Sequence, residues 1–175
     1  DLPWYADHPD DPRLAQERYL LDTVLPLLRW EYAAMRHDRD GRYLLGFSKS
    51  GWGAWSLLLR RPDKFRRAIA WDAPFRLQAP GKYGSGPIFG DAANFERYFV
   101  PRLLREQREE LQESPRLMHL GYGSFRDDHE HIEGTLQALK IPHVYRDGPH
   151  RDHHWNSGWL PEAIRLVVTD AVSGD

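Results

Sequence analysis

Cysteine is absent from the 175-residue sequence, which excludes disulfides, thiolate metal sites and a cysteine nucleophile. No apolar run approaches the roughly 20 residues of a membrane-spanning helix. The longest, Trp52 to Leu59, is interrupted by Gly53 and Ser56. An excess of one charge is lacking too: 24 basic side chains stand against 26 acidic ones, a net charge of −2 with histidine neutral. No global positive field or basic tail therefore calls for nucleic acid or a membrane surface as partner. Repeats, low-complexity runs and linkers are missing, which leaves one domain or part of a larger one. No leader pattern marks the first residues, and the lack of cysteine fixes no compartment. Seven tryptophans and nine histidines are many for this length, and both concentrate near the segments that carry the chemistry below.

The opening, Asp1 to Pro12, holds three prolines and four aspartates and reads as a loop. Asp11-Pro12 then reads as an N-cap followed by proline in the first helical position. Leu14, Leu20, Leu21, Val24, Leu28, Tyr32 and Met35 follow at helical spacing, with a kink expected at Pro26. Arg42 to Phe47 is a short apolar run of strand length, and Ser50 to Leu59 reads as a helix that stops before Pro62. Arg66 to Trp71 predicts a second strand. The Gly- and Pro-rich stretch after it suggests a lid insertion over residues 75–100. Ala92 to Glu113 reads as a long charged helix interrupted at Pro101. Arg116 to Gly123 predicts a third strand, Asp128 to Leu139 a helix, Ile141 to Arg146 a fourth strand and Trp159 to Ala171 a last helix. Regular strand–helix alternation implies an α/β fold, a three-layer sandwich around a mostly parallel sheet. The first strand is apolar throughout, as a central strand would be. Further strands are therefore expected before Asp1 or from a second chain, and an unpaired sheet edge would favour homo-oligomers.

The strongest local signal is Leu44 to Ala54, LLGFSKSGWGA. A strand entering Gly46-Phe47-Ser48-Lys49-Ser50-Gly51 and leaving as a helix is the setting of a nucleophile elbow. Ser48 would project its hydroxyl above the strand ends, and the Lys49 backbone amide would supply an oxyanion donor. A serine nucleophile needs a base. The loop before the last helix, GPHRDHHWNSGW, offers His153 first, then His154 and His150. An acid must orient that base. Asp72 stands directly at a strand end between Trp71 and Ala73, while Asp128 or Asp127 follows the third strand; Asp72 is preferred because Asp128 would serve equally well as an N-cap.

These residues resemble an α/β-hydrolase, close to the serine esterases of the esterase D kind. The resemblance rests on RYLLGFSKSGWGAWSLLLRRPDKF, AIAWDAPF and HHWNSGWLPEAI. It implies one partial hydrolase domain over residues 1–175, corresponding to the C-terminal part of that fold, with Ser48 as nucleophile and His153 as base. It further implies hydrolysis of small-molecule carboxylic esters, no cofactor and no metal. By the same likeness Trp4 and Tyr5 would lie near the acyl site, and Trp155 with them. Ser50 departs from the second glycine of G-x-S-x-G. The family's first strands, with the loop that gives a second oxyanion amide, have no counterpart here. One such donor is typically worth ~10²–10³ in rate.

Two other readings compete. Asp127, Asp128, His129, His131 and Glu133, together with His150, Asp152, His153 and His154, could serve a metal-dependent hydrolase. His129 and His131 are two apart, however, and on a helix would diverge. The other reading is a non-catalytic, hydrolase-like scaffold that self-associates through its open strand.

Overall fold

Each apolar run read as a strand is one in the computed structural model, which describes residues 3–34 and 37–169. β1 (Tyr43–Phe47), β2 (Arg67–Trp71), β3 (Leu117–Leu120) and β4 (His143–Arg146) lie side by side in that order, each neighbouring pair parallel. Phe47 pairs with Trp71 and Trp71 with Leu120, so three strands end level. Parallel pairing demands crossovers. Before the sheet, α1 (Gln16–Arg18) runs through a π-helical stretch, Tyr19–Val24, into α2 (Leu25–Glu31). α3 (Lys49–Arg60) joins β1 to β2. α4 (Gly86–Phe89), α5 (Ala92–Tyr98) and α6 (Val100–Glu106) lie between β2 and β3. α7 (Arg126–Leu139) joins β3 to β4, and α8 (Trp159–Val168) follows β4.

The sheet is the middle of three layers, and the period-two alternation of its strands decides which core each residue enters. Ala68 and Ala70 belong to the larger core with α3, α5, α6 and α7. Ile69 and Trp71 belong to the second, with Trp159, Ala163 and Val167 of α8. The small residues of β2 let α3 approach closely. A Cβ on Gly51 would lie 3.0 Å from that of Ala73 and 3.1 Å from that of Ala70, and one on Gly46 would lie 2.2 Å from the Ser50 carbonyl. The opening loop is tied down by polar side chains. Gln16 Oε1 accepts from the Trp4 and Tyr5 amides at 2.8 and 3.1 Å. Arg60 pairs with the buried Glu17 and donates to the Tyr5 carbonyl at 2.9 Å.

Several local expectations need correction. The helix after the opening loop starts at Gln16, not at Pro12, because Asp7 Oδ1 accepts from the Glu17 and Arg18 amides while Asp11 serves Arg13. Pro26 brings a change of winding rather than a kink. The Leu25 amide bonds five residues back to Leu20, and Pro26 follows where the winding returns from π to α. The long helix from Ala92 is two helices, broken at Phe99 (φ −65°, ψ 111°), and Pro101 sits harmlessly in the first turn of the second. Within residues 75–100, Phe89 and Phe95 pack against Trp52 and are core. Met35 and the expected helix end at Ala171 lie outside the described residues.

Gly46→Ala should lower stability by about 1–3 kcal/mol, because backbone rather than a movable side chain meets the new methyl. Ser50→Ala should raise it by ~1 kcal/mol, since the buried Ser50 hydroxyl has no hydrogen-bond partner. Urea unfolding midpoints of the two variants check both signs.

Candidate active site

Where β1 turns into α3, Ser48 holds φ 56° and ψ −130°. A non-glycine residue in that region stores about 1–3 kcal/mol of strain. The turn is held by the Ser48 amide donating to the Trp71 carbonyl at 3.0 Å and by the Ser48 carbonyl accepting from the Gly51 amide at 2.9 Å. The Ser48 hydroxyl makes no capping hydrogen bond to α3, so it does not serve as an ordinary N-cap. Lys49, whose amide is expected to act as an oxyanion donor, is the first residue of α3. Its Nζ donates to the Tyr83 carbonyl at 3.4 Å.

One strand over, Asp72 also takes a positive φ, 47°. Its carboxylate is fully buried. Oδ1 accepts from the Phe125 amide at 2.7 Å, and Oδ2 meets His153 Nδ1 at 2.5 Å. A Cβ on Gly123 would lie 2.3 Å from Oδ1, so only glycine there leaves room for the carboxylate. An ionised Oδ2 can only accept, so this contact puts a proton on Nδ1 and leaves Nε2 facing away from the carboxylate.

The loop carrying His153 is clamped from behind. The Arg151 amide donates to the Tyr122 carbonyl at 2.8 Å, its guanidinium pairs with Glu162 at 2.9 Å, and Trp159 Nε1 donates to the Asp152 carbonyl at 3.0 Å. In front, the His153 ring packs on Phe47 (centroids 4.5 Å apart) and Phe125 (5.4 Å). Phe47 is the residue before Ser48, so the imidazole and the strained serine share one strand end. Trp155, 48% exposed, packs on Phe47 at 4.9 Å, and Tyr83, 50% exposed, on Phe125 at 5.5 Å. The site is therefore flanked by open aromatic surface.

Other expected residues sit elsewhere. Trp4 is core, packed edge-on against Trp52 and Phe89, so its ring presents no free wall to a substrate. Tyr5 is partly buried, with its ring beside Gly53. Asp128 accepts from the Arg76 amide at 2.7 Å, burial raising its pKa, and the exposed Asp127 lies 3.7 Å from Arg76; neither is the carboxylate on His153. His154 accepts from the Asn156 amide, and His150 lies 3.8 Å from Asp152. Among the described residues neither candidate metal cluster brings three of its own ligand atoms together. A surface cavity of about 530 Å³ along Pro12 to Thr23 shares no residue with the Asp72–His153 pair.

Sequence reading missed a polar chain behind Asp72. His129 Nε2 accepts from the Ala73 amide at 2.9 Å, and its Nδ1 meets His119 Nδ1 at 3.1 Å. His119 Nε2 meets Glu133 Oε2 at 3.1 Å, and His143 Nε2 meets the same oxygen at 2.7 Å. His119 and His129 are wholly buried. Burial lowers both their pKa values, and the His119 hydrogen bond leads in holding Glu133 down at about 2. The available signal was a histidine inside the otherwise apolar run Leu117-Met118-His119-Leu120.

Below the ordinary histidine pKa of 6.5, the unfolded chain binds protons that the buried neutral rings refuse. Stability should therefore fall as pH drops below 6.5. Urea unfolding between pH 7 and 5 should show this slope, and His129→Gln should reduce it by one ring's share.

No family model and no curated protein matches the sequence. Solved structures do match. They include FphF, a fluorophosphonate-binding serine hydrolase of Staphylococcus aureus (TM-score 0.69, 20% identity, 89% of this chain and 64% of that one). An S-formylglutathione hydrolase of Agrobacterium tumefaciens superposes with TM-score 0.71 at 16% identity, over 94% of this chain and 62% of that one. A ferulic acid esterase of Anaeromyces mucronatus gives 0.60 at 16%, over 95% and 59%. The chain thus spans roughly three-fifths of the length of these proteins. What they share with it is the fold, an α/β sandwich with a parallel sheet.

Proposed function

We propose that the chain carries the reacting centre of a serine hydrolase acting on carboxylic esters. The observation that supports this most is the 2.5 Å contact between His153 and the buried Asp72, with the His153 ring packed on Phe47, the residue before the strained Ser48. In this reading Ser48 Oγ attacks the ester carbonyl while His153 Nε2 takes its proton. Asp72 holds the ring in the Nδ1–H tautomer and stabilises the imidazolium. The Lys49 amide, at the positive end of α3, donates to the developing oxyanion. The tetrahedral intermediate then collapses, His153 returns the proton to the leaving alcohol, and water removes the acyl group by the same route. Trp155 and Tyr83 would line the approach. The fold neighbours, themselves hydrolases and esterases, are in keeping with this.

A fluorophosphonate probe should attach to Ser48, located by peptide mass spectrometry, and Ser48→Ala should remove the label. Asp72→Asn should slow hydrolysis of an activated ester by about 10⁴-fold, since the amide favours the wrong imidazole tautomer. A label on another residue, or none on the intact protein, would refute the reading.

A second reading, self-association beside β1, has its own support. Among the described residues β1 pairs only with β2. Next to it an apolar cavity of about 280 Å³ is lined by Leu20, Leu25, Leu28, Tyr43, Leu44 and Phe65. Trp30 is 77% exposed on the neighbouring α2. Large open apolar surface of this kind marks an interaction site. Sedimentation velocity should show a dimer, and a monomer at high concentration would contradict it.

A further inference from the structure

The chain of buried histidines behind Asp72 has one consistent assignment of protons. The Ala73 amide can only donate, so His129 Nε2 must offer a lone pair, and the neutral ring then carries its proton on Nδ1. That proton faces His119 Nδ1, which must accept, and so His119 is protonated on Nε2 and donates to Glu133. His143 Nε2 donates to the same carboxylate oxygen, and its Nδ1 lies 2.7 Å from the Ile141 carbonyl, itself an acceptor. Both His143 nitrogens thus face acceptors. The path is dry. Trp55 packs edge-on against His119, Phe75 edge-on against His129, and Tyr145 stacks on His119 at 4.5 Å.

His119, Glu133 and His143 also have the spacing of a metal-ligand group. Metal at His119 Nε2 would need that nitrogen bare. Its proton would then sit on Nδ1, against the Nδ1 proton of His129, with both rings buried and no water to relieve the clash. The hydrogen-bond order set by Ala73 opposes a metal there.

We infer that His129, backed by His119 and Glu133, is a positioning residue for the Asp72–His153 pair. The inference rests on the serine hydrolase reading above. Its anchor point is the peptide after Asp72. That residue's strained φ of 47° is held by its own amide donating to Leu120 O at 3.4 Å, by its carboxylate on the Phe125 amide, and by Ala73 on His129. Loss of the His129 acceptor would leave the Ala73 amide buried and unpaired. The turn would relax, and the carboxylate would move off His153 Nδ1. Misplacement of a catalytic group by about 1 Å can cost ~10²-fold in rate.

Imidazole ¹H–¹⁵N NMR of the full chain at pH 7 tests the proton order without any reaction. His129 should be protonated on Nδ1 alone and His119 on Nε2 alone; the reverse order, or zinc bound stoichiometrically and released by Glu133→Gln, would overturn the inference. His129→Leu should lower the limiting rate of Ser48 phosphonylation about 10- to 10²-fold, with the half-saturating probe concentration unchanged. His129→Gln, whose Oε1 can accept from Ala73, should restore most of it and also covers the case in which the leucine variant does not fold. If Asp72→Asn slows labelling and neither His129 variant does, the positioning role fails while the hydrolase reading stands. If Asp72→Asn has no effect either, the hydrolase reading itself fails.

Discussion

A carboxylate with no exposed surface is costly to bury unless its oxygens are hydrogen-bonded, and Asp72 is such a group. Its two oxygens are taken by the Phe125 amide and by His153. One contact reaches to the loop after β3, the other to the loop after β4. The carboxylate therefore gathers three segments far apart in sequence onto one sheet edge. Gly123 is glycine because a methyl would occupy the carboxylate's place, and Phe125 lies where it does because its amide is the second donor. The clamp of Arg151, Trp159 and Glu162 brings the imidazole to meet it.

Adjacent strands here end in adjacent strain. Ser48 and Asp72 both take positive φ without being glycine, and the Ser48 amide is bonded to the carbonyl of Trp71, immediately before Asp72. Each turn thus helps to hold the other. The parallel register makes this possible by ending β1 and β2 level. Small residues make it affordable in space: Gly46, Gly51, Ala70 and Ala73 let helix and sheet close on the turn without a clash. Aromatic side chains then form a row from Tyr83 through Phe125, His153 and Phe47 to Trp155.

Much of this was legible in the residues. Strand–helix alternation is a matter of local periodicity, and the four strands fell within one to three residues of where the apolar runs placed them. Asp72 stood out because an aspartate between Trp71 and Ala73 at a strand end has no capping task. His153 is preferred on its loop position and on Trp155 two residues later, whereas which of the three rings reaches Asp72 is a tertiary fact. Helix boundaries were misread where a side chain distant in sequence intervenes, as Asp7 does for Glu17. The likeness to esterases expects Trp4 near the acyl site, but residue type cannot distinguish a buried indole from an accessible one, and this one is buried against Trp52 and Phe89. The His119–His129–Glu133 chain was invisible for a related reason. Its members belong to β3 and α7, and nothing in linear spacing says that a strand histidine and a helix histidine share a proton.

Everything rests on the coupling of Ser48 to the Asp72–His153 pair. A crystal structure of the protein after reaction with a phosphonate monoester probes that coupling directly. The expected result is phosphorus bonded to Ser48 Oγ, a phosphonyl oxygen on the Lys49 amide, and His153 still on Asp72 with Nε2 within hydrogen-bonding distance of the adduct. An adduct at another residue, or one at Ser48 with His153 turned away from it and from Asp72, would contradict the account.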